Sequence, residues 1–143
     1  MKGALVLTLF ALTIVAAHGA AAQQNRPGFF VTSAGSGTGD LAGADKICQQ
    51  LVKAANAGNR TWRAYLSTSG PNALNARDSI GAGPWYNVKG LLIAQNVADL
   101  HSDKANINND TALDEQGRAI NPAGGPNRHD ILTGSTLEGG RAT

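Results

Sequence analysis

A glycine-rich segment is the clearest candidate for chemistry in this sequence. Residues 37–42 read Gly-Thr-Gly-Asp-Leu-Ala and fit the G-x-G-x-x-G/A pattern of dinucleotide-binding turns. Such turns work because free amides at a helix N-terminus meet a pyrophosphate. Here Asp40 would place a carboxylate beside the phosphates, and the next apolar segment, which ends at Ser67, carries no acid to hold a ribose. The segment is therefore interpreted as a loop leading into a capped helix, and a cofactor-binding oxidoreductase is kept as a third alternative.

Side chains for nucleophilic catalysis are few. Cys48 falls on the apolar face of a predicted helix, where cysteines pack as small hydrophobic residues. His129 and Asp130 are adjacent in sequence, which is not how a base and its orienting acid are placed. A G-x-S-x-G motif is absent from the sequence. These observations predict a protein that is not an enzyme.

Oxygen-bearing side chains of the kind that calcium prefers cluster in one irregular segment. They are Asp103, Asn106, Asn108, Asp110 and Asp114. An EF-hand register that begins at Asn106 fails, because Thr111 stands where the turn glycine belongs and Gly117 where the bidentate acid belongs. The segment is predicted to be a solvated loop, with no bound metal and no cofactor.

Two aromatic residues, Trp85 and Tyr86, follow a glycine-rich stretch over residues 81–83. Exposed aromatic rings stack against the apolar faces of sugars or against partner surfaces. Only 5% of the residues are aromatic, so the same two rings could instead close a small core. The scarcity of aromatic residues favours the core role, and contact with a ligand is kept as the alternative.

The N-terminus has the order of a secretory signal: Lys2, an apolar run over residues 4–17, then small residues ending at Ala22. The run is shorter than the roughly 20 apolar residues that a membrane-spanning helix needs. We therefore expect a signal peptide over 1–22, a polar lead-in over 23–28 and one domain over 29–143. The expected location is secreted or periplasmic. The formal net charge is only +2, and the charges are scattered, which gives no reason to expect nucleic acid or a membrane as partner.

Hydrophobic periodicity predicts the elements that position these residues. Apolar residues at helical spacing predict a helix over 40–56, with Asp40 as N-cap and Cys48 on the buried face. Alternation over 61–68 predicts a half-buried strand with Trp62 facing inward. The remaining predicted elements are strands over 29–33, 90–94 and 131–133, helical turns over 73–79 and 96–101, and a hairpin over 113–120. The pattern is that of a loop-rich α+β domain.

Several segments together resemble a known family, the lectin-like domains of secreted bacterial proteins, which are related in fold to C-type lectins and to endostatin. The segments are FFVTSAGSG, LAGADKICQQL, TWRAYLST, NARDSIGAGPWYN, KGLLIA and PNRHDILTGS. The resemblance runs from about Phe29 to Gly140. It implies a C-type-lectin-like α+β domain with one main N-terminal helix, short antiparallel strands and long loops, and a binding role.

The sequence departs from that family in two places. In the family, the cysteine of the first helix pairs with one near the end of the domain, whereas Cys48 is the only cysteine here. The resemblance thus implies an incomplete domain whose C-terminal strands are missing, and a Cys48 that can link two chains as a disulfide dimer. Calcium-binding lectins carry an acid where this chain has Gly125, followed by Pro126 and Asn127, so calcium-dependent sugar binding is not expected.

The function that follows is a secreted, non-catalytic, lectin-like domain that binds a carbohydrate or a protein surface. The alternative is a ligand-free structural or remnant fragment of such a domain. The residues predicted to contact the ligand are Trp85, Tyr86, Asn127, Arg128, His129 and Asp130.

Overall fold

A computed structural model describes residues 27–35, 40–57, 60–122, 125 and 131–142. The predicted signal peptide lies outside these residues. The chain forms a small mixed α+β domain with one main helix and a short two-stranded antiparallel sheet, as the sequence predicts. Its elements are α1 (Leu41–Ala54), α2 (Ala76–Ser79), β1 (Trp85–Tyr86), β2 (Leu92–Ala94) and α3 (Val97–Leu100). No helix in the described part of the chain is long and apolar enough to cross a membrane.

Helix α1 confirms the predicted helix and its cap. The Asp40 carboxylate accepts a hydrogen bond from the Gly43 amide at 2.6 Å, which satisfies one of the free N–H groups of the first turn. Its buried residues are Ala44, Cys48 and Val52, spaced four apart, so they form one stripe along the helix. That stripe packs against Trp62 and Ala64 in the first core cluster.

The predicted strand over 61–68 is not a strand, although its inward face is correct. Trp62 and Ala64 are each 7% exposed. Their amides do not pair with another strand, because helix α1 supplies the acceptors: the Trp62 N–H donates to Gln49 Oε1 at 3.1 Å and the Ala64 N–H to Asp45 Oδ1 at 2.7 Å. The segment, which is extended over 61–64 as its alternating burial shows, is therefore held to α1 without a sheet.

The strands predicted over 29–33 and 131–133 are also absent. Phe29 donates from its amide to the Tyr86 carbonyl at 3.0 Å, and Val31 donates to the Leu113 carbonyl at 2.8 Å. The Thr133 carbonyl accepts from the Ser67 amide at 3.0 Å. Single bonds to different partners tie these segments to the domain but do not build the repeating ladder that defines a strand.

The short elements in the second half form the other core cluster. Strands β1 and β2 pair Trp85 with Ala94 and Tyr86 with Leu92. The buried residues of this cluster are Trp85, Ile93 and Ala94, and partly buried side chains of α3 and of the N-terminal segment cover them.

The remaining short elements follow the sequence closely. The helical turns predicted near α2 and α3 are present, and Asn96 caps α3 by accepting from the Asp99 amide at 2.9 Å. The predicted hairpin is present with one antiparallel bridge between Leu113 and Ala119.

Candidate ligand-binding site

An open cleft with a volume of about 720 Å³ lies between the C-terminal end of α1 and the hairpin over residues 113–119. We call it the α1–hairpin cleft. Its apolar lining comes from Pro27, Ala55, Ala57 and Val88. Its polar lining comes from Asn56, Arg60, Lys89, Glu115 and Gln116.

The helix wall of the cleft is shaped by the way α1 ends. Asn56 has a φ of 53°, in the left-handed region that asparagine tolerates better than most residues. This allows the Ala57 amide to bond the Val52 carbonyl at 3.1 Å, and the Asn56 amide to bond the Lys53 carbonyl at 3.2 Å. The pair of bonds is a Schellman cap. It satisfies the carbonyls of Val52 and Lys53 at the end of α1.

The hairpin wall is held by Asp114, which is 5% exposed. Its Oδ1 accepts from the amides of Gln116 and Arg118, each at 2.9 Å, and its Oδ2 pairs with Arg118 Nε at 2.7 Å. Burial disfavours the carboxylate, but the hydrogen bonds from Arg118 and Gln116 and the charge of Arg118 outweigh it. The pKa of Asp114 is therefore lowered from its usual value.

Glu115 is the acidic member of the described cleft lining, and its carboxylate is already occupied. It is 4% exposed. The Ser33 amide donates to Oε2 at 3.1 Å, and the Ser33 hydroxyl donates to Oε1 in a short hydrogen bond. The side chain therefore anchors the N-terminal segment to the hairpin instead of presenting a free carboxylate to the cleft.

The turn that carries Val88 and Lys89 into the cleft depends on Asn87, which is fully buried. Its Oδ1 accepts from the amides of Lys89 and Leu91, each at 3.0 Å, and its Nδ2 donates to the Thr111 carbonyl at 3.1 Å. One side chain thus joins the turn to the segment that leads into the hairpin.

Two cationic side chains, Arg60 and Lys89, are exposed in the cleft lining. Arg60 donates from Nη1 to the Pro27 carbonyl at 2.7 Å, and its guanidinium lies 6.0 Å from the centre of the Trp62 ring. The ion pairs within the described ranges join Arg63 to Asp45, Lys104 to Asp99 and Arg118 to Asp114. None of these pairs uses either of the two cleft cations.

Of the residues predicted from the sequence to contact a ligand, the structure describes Trp85 and Tyr86, and neither lines the cleft. Trp85 is 9% exposed and belongs to the second core cluster, so a ligand would reach little of its surface. Tyr86 is half-buried, and its carbonyl accepts from the amides of Gly28 and Phe29. Asn127, Arg128, His129 and Asp130 fall outside the described residues, and their predicted role stays a prediction.

Sequence reasoning also missed a tyrosine–histidine pair that joins the segment over residues 61–68 to the end of α3. His101 Nδ1 lies 2.6 Å from the Val97 carbonyl, which can only accept, so Nδ1 carries the proton and Nε2 accepts. Tyr65 then donates its hydroxyl to Nε2 at 2.8 Å. Burial raises the pKa of Tyr65, and the charge of Arg77 works against that rise. Gly139 packs directly on the His101 ring, so this histidine is part of the packing beneath the C-terminal segment.

Metal ligands do not assemble in the part of the chain that the structure describes, where no group of three His, Cys, Asp or Glu side chains comes together. In the loop considered for calcium, Asn108 Oδ1 already accepts from the amides of Asp110 and Thr111. Burial, followed by the charge of Asp45, raises the pKa of Cys48, so its thiol stays protonated near neutral pH. In the glycine-rich segment, residues 37–39 lie outside the described ranges.

Comparisons of the chain with protein-family models, with curated proteins and with solved structures found no match. The resemblance to bacterial lectin-like domains therefore stays a prediction.

Proposed function

We propose that the chain is a secreted, non-catalytic, lectin-like domain that binds a carbohydrate or a protein surface through the α1–hairpin cleft. The observation that carries this proposal is the mixed lining of the cleft. Apolar patches from Ala55, Ala57 and Val88 lie beside the amide side chains of Asn56 and Gln116. Its volume falls within the range of about 300–1,000 Å³ that is typical of small-molecule sites.

Sugars suit this combination of surfaces. A pyranose has an apolar face of C–H groups and a rim of hydroxyls that both donate and accept. Primary amide side chains also do both, so one asparagine or glutamine can bond two neighbouring hydroxyls. The open shape of the cleft would admit an internal or terminal unit of a longer glycan without enclosing it.

The carboxylate chemistry of the cleft supports binding over hydrolysis. Glycosidases generally use two carboxyl groups on opposite sides of the bond that breaks. Among the described lining residues there is one, Glu115, and Ser33 occupies both of its oxygens. A carboxylate held in this way joins the N-terminal segment to the hairpin and is not free to act on a glycosidic bond.

A glycan-array screen with residues 23–143, followed by NMR titration of the strongest binders, tests the proposal. Asn56→Gly removes the amide but keeps a residue that adopts positive φ, so it should weaken binding about threefold to tenfold without disturbing the helix cap. Gln116→Ala should weaken binding to a similar extent, because Gln116 is exposed and its side chain can be removed without loss of packing. Gln50→Ala is the matched control, since Gln50 is exposed on α1 and does not line the cleft. The proposal fails if no glycan or protein ligand shifts the resonances of the cleft residues.

A further inference from the structure

We infer that the α1–hairpin cleft selects acidic sugars, in which a carboxylate meets Arg60 and Lys89. This inference rests on the proposed function and names the ligand class of the same site. It follows from an imbalance of charge in the cleft, which presents two exposed cations while its one described acid is occupied.

The carboxylate of Glu115 is kept out of ligand binding by its structural role. Glu115 accepts from both the amide and the hydroxyl of Ser33 and is 4% exposed. A buried carboxylate that already has hydrogen-bond donors gains little by leaving them for a surface cation. It therefore competes only weakly with a ligand for Arg60 or Lys89.

Arg60 is held in place before any ligand arrives. The Pro27 carbonyl takes one of its five N–H donors, and the guanidinium lies over the Trp62 ring at 6.0 Å. No second hydrogen bond from Arg60 to a described residue is present, so the rest of its planar fork is available. Arginine forks bond carboxylates in a bidentate manner, which gives direction as well as affinity.

Lys89 supplies the second charge beside the hairpin, where its side chain lies near Gly117. It is exposed, and its backbone amide is fixed by Asn87, so the start of the flexible side chain is well placed. The C-terminal end of α1 would oppose an anion, because its free carbonyls carry partial negative charge. The Schellman cap reduces this effect, since the carbonyls of Val52 and Lys53 are bonded to the amides of Ala57 and Asn56.

The test compares two ligands that share a sugar backbone and differ mainly in charge. Tetragalacturonate and its methyl ester have the same sugar backbone, but the ester lacks the carboxylates. Their binding to residues 23–143 is measured by isothermal titration and by NMR shifts of the cleft residues. The acid should bind at least about fivefold more tightly than the ester, and its affinity should fall as salt rises from about 0.02 to 0.3 M because screening weakens the attraction.

Variants locate the effect in the cleft. Lys89→Gln should weaken binding of the acid about threefold to tenfold and leave the ester unchanged. Arg60→Gln should do the same or more, and Arg60→Lys should recover only part of the loss because a lysine is a point charge. Lys46→Gln is the control: it removes the same charge from an exposed position of α1 outside the cleft and should change neither ligand. Lys89 makes no side-chain hydrogen bond to the described residues, so its variant tests the inference even if Arg60→Gln unfolds.

Four results would overturn the inference, and they can be told apart. If acid and ester bind the cleft equally, the site is a sugar site that ignores charge, and the proposed function stands alone. If Lys46→Gln weakens binding as much as Lys89→Gln does, the attraction comes from overall charge and the cleft does not select. If neither ligand shifts the cleft while a neutral glycan or a protein does, the inference is wrong and the proposed function survives. If no glycan or protein shifts it, both are wrong.

Discussion

Replacing Asn87 should destabilise the domain more than any other single change of a polar residue in the turn of the cleft. The side chain is fully buried and makes three hydrogen bonds, two as acceptor and one as donor. Asn87→Ala removes all three together. It also leaves the Thr111 carbonyl without this donor, in a region where both residues are buried.

The expected loss follows from the number of bonds. A typical intramolecular hydrogen bond contributes about 1 kcal/mol net, so three contribute about 3 kcal/mol to the free energy of unfolding. A domain of this size is stable by about 5–15 kcal/mol in total. Asn87→Ala should therefore remove a fifth or more of the stability and loosen the turn that carries Lys89.

The measurement is the free energy of unfolding from urea titration, followed by circular dichroism. Asn87→Asp separates the donor from the acceptors: it keeps an oxygen for the amides of Lys89 and Leu91, but sets a carboxylate against the Thr111 carbonyl. Its destabilisation should shrink as pH falls toward 4, because a protonated acid can again donate to Thr111. Asn96→Ala is the control, since it removes an exposed cap bond and should cost about 1 kcal/mol or less. A loss below about 0.5 kcal/mol for Asn87→Ala would refute the reasoning.

Three further predictions test other contacts. The pKa of Asp114 is lowered in the folded state, so the stability that its carboxylate contributes is present above about pH 4 and is lost as pH falls below it. In urea titrations, Asp114→Asn should therefore be less stable than the unmodified protein at pH 7, and its free energy of unfolding should change less as the pH is lowered. Cys48 is buried and its thiol pKa is raised, so a thiol reagent should label it far more slowly in the native protein than in urea, and non-reducing electrophoresis should show monomer. Gly139→Ala should lower Tm more than Gly70→Ala: both have positive φ, but a Cβ at Gly139 would overlap His101, whereas the space at Gly70 is open.

Each of these has an outcome that contradicts it. If Asp114→Asn loses as much stability at low pH as the unmodified protein does, the carboxylate of Asp114 is not held by its hydrogen bonds. Rapid native labelling of Cys48, or a reducible dimer, would show that α1 opens readily and would favour the disulfide-linked pair expected from the sequence. Equal Tm losses for the two glycine variants would mean that strain alone, and not contact with His101, sets the cost.

Local patterns predicted the helices well, because their determinants lie close together in the chain. Asp40 caps α1 three residues before the amide it accepts from, and Ala44, Cys48 and Val52 recur at helical spacing. Asn96 caps α3 in the same way. These features need no knowledge of the rest of the fold.

The strands and the cleft were harder to predict, because they depend on distant partners. Alternation correctly placed Trp62 and Ala64 inside, but it reports burial and not the identity of the hydrogen-bond partner. Nothing in the spacing of Arg60 and Lys89 shows that the fold brings both to one cleft, and neither was selected from the sequence. Trp85 was selected as an aromatic contact, but its depth depends on Ile93 and Ala94, which pack around it.

The hydrogen bonds from α1 to the extended residues 61–64 determine the register between the helix and this segment. A helix rises about 1.5 Å per residue, so Asp45 and Gln49 start about 6 Å apart along its axis. An extended chain advances about 3.3 Å per residue, so the amides of Ala64 and Trp62 are separated by about 6.6 Å. About one turn of the helix thus matches the length of two residues of extended chain, and the two segments run in opposite directions. A slip by one residue would turn Trp62 toward water and offer Asp45 and Gln49 the amides of the other face. Helix α1 therefore fixes the register of the segment beside it, through side chains in place of the backbone pairing that a second strand would provide.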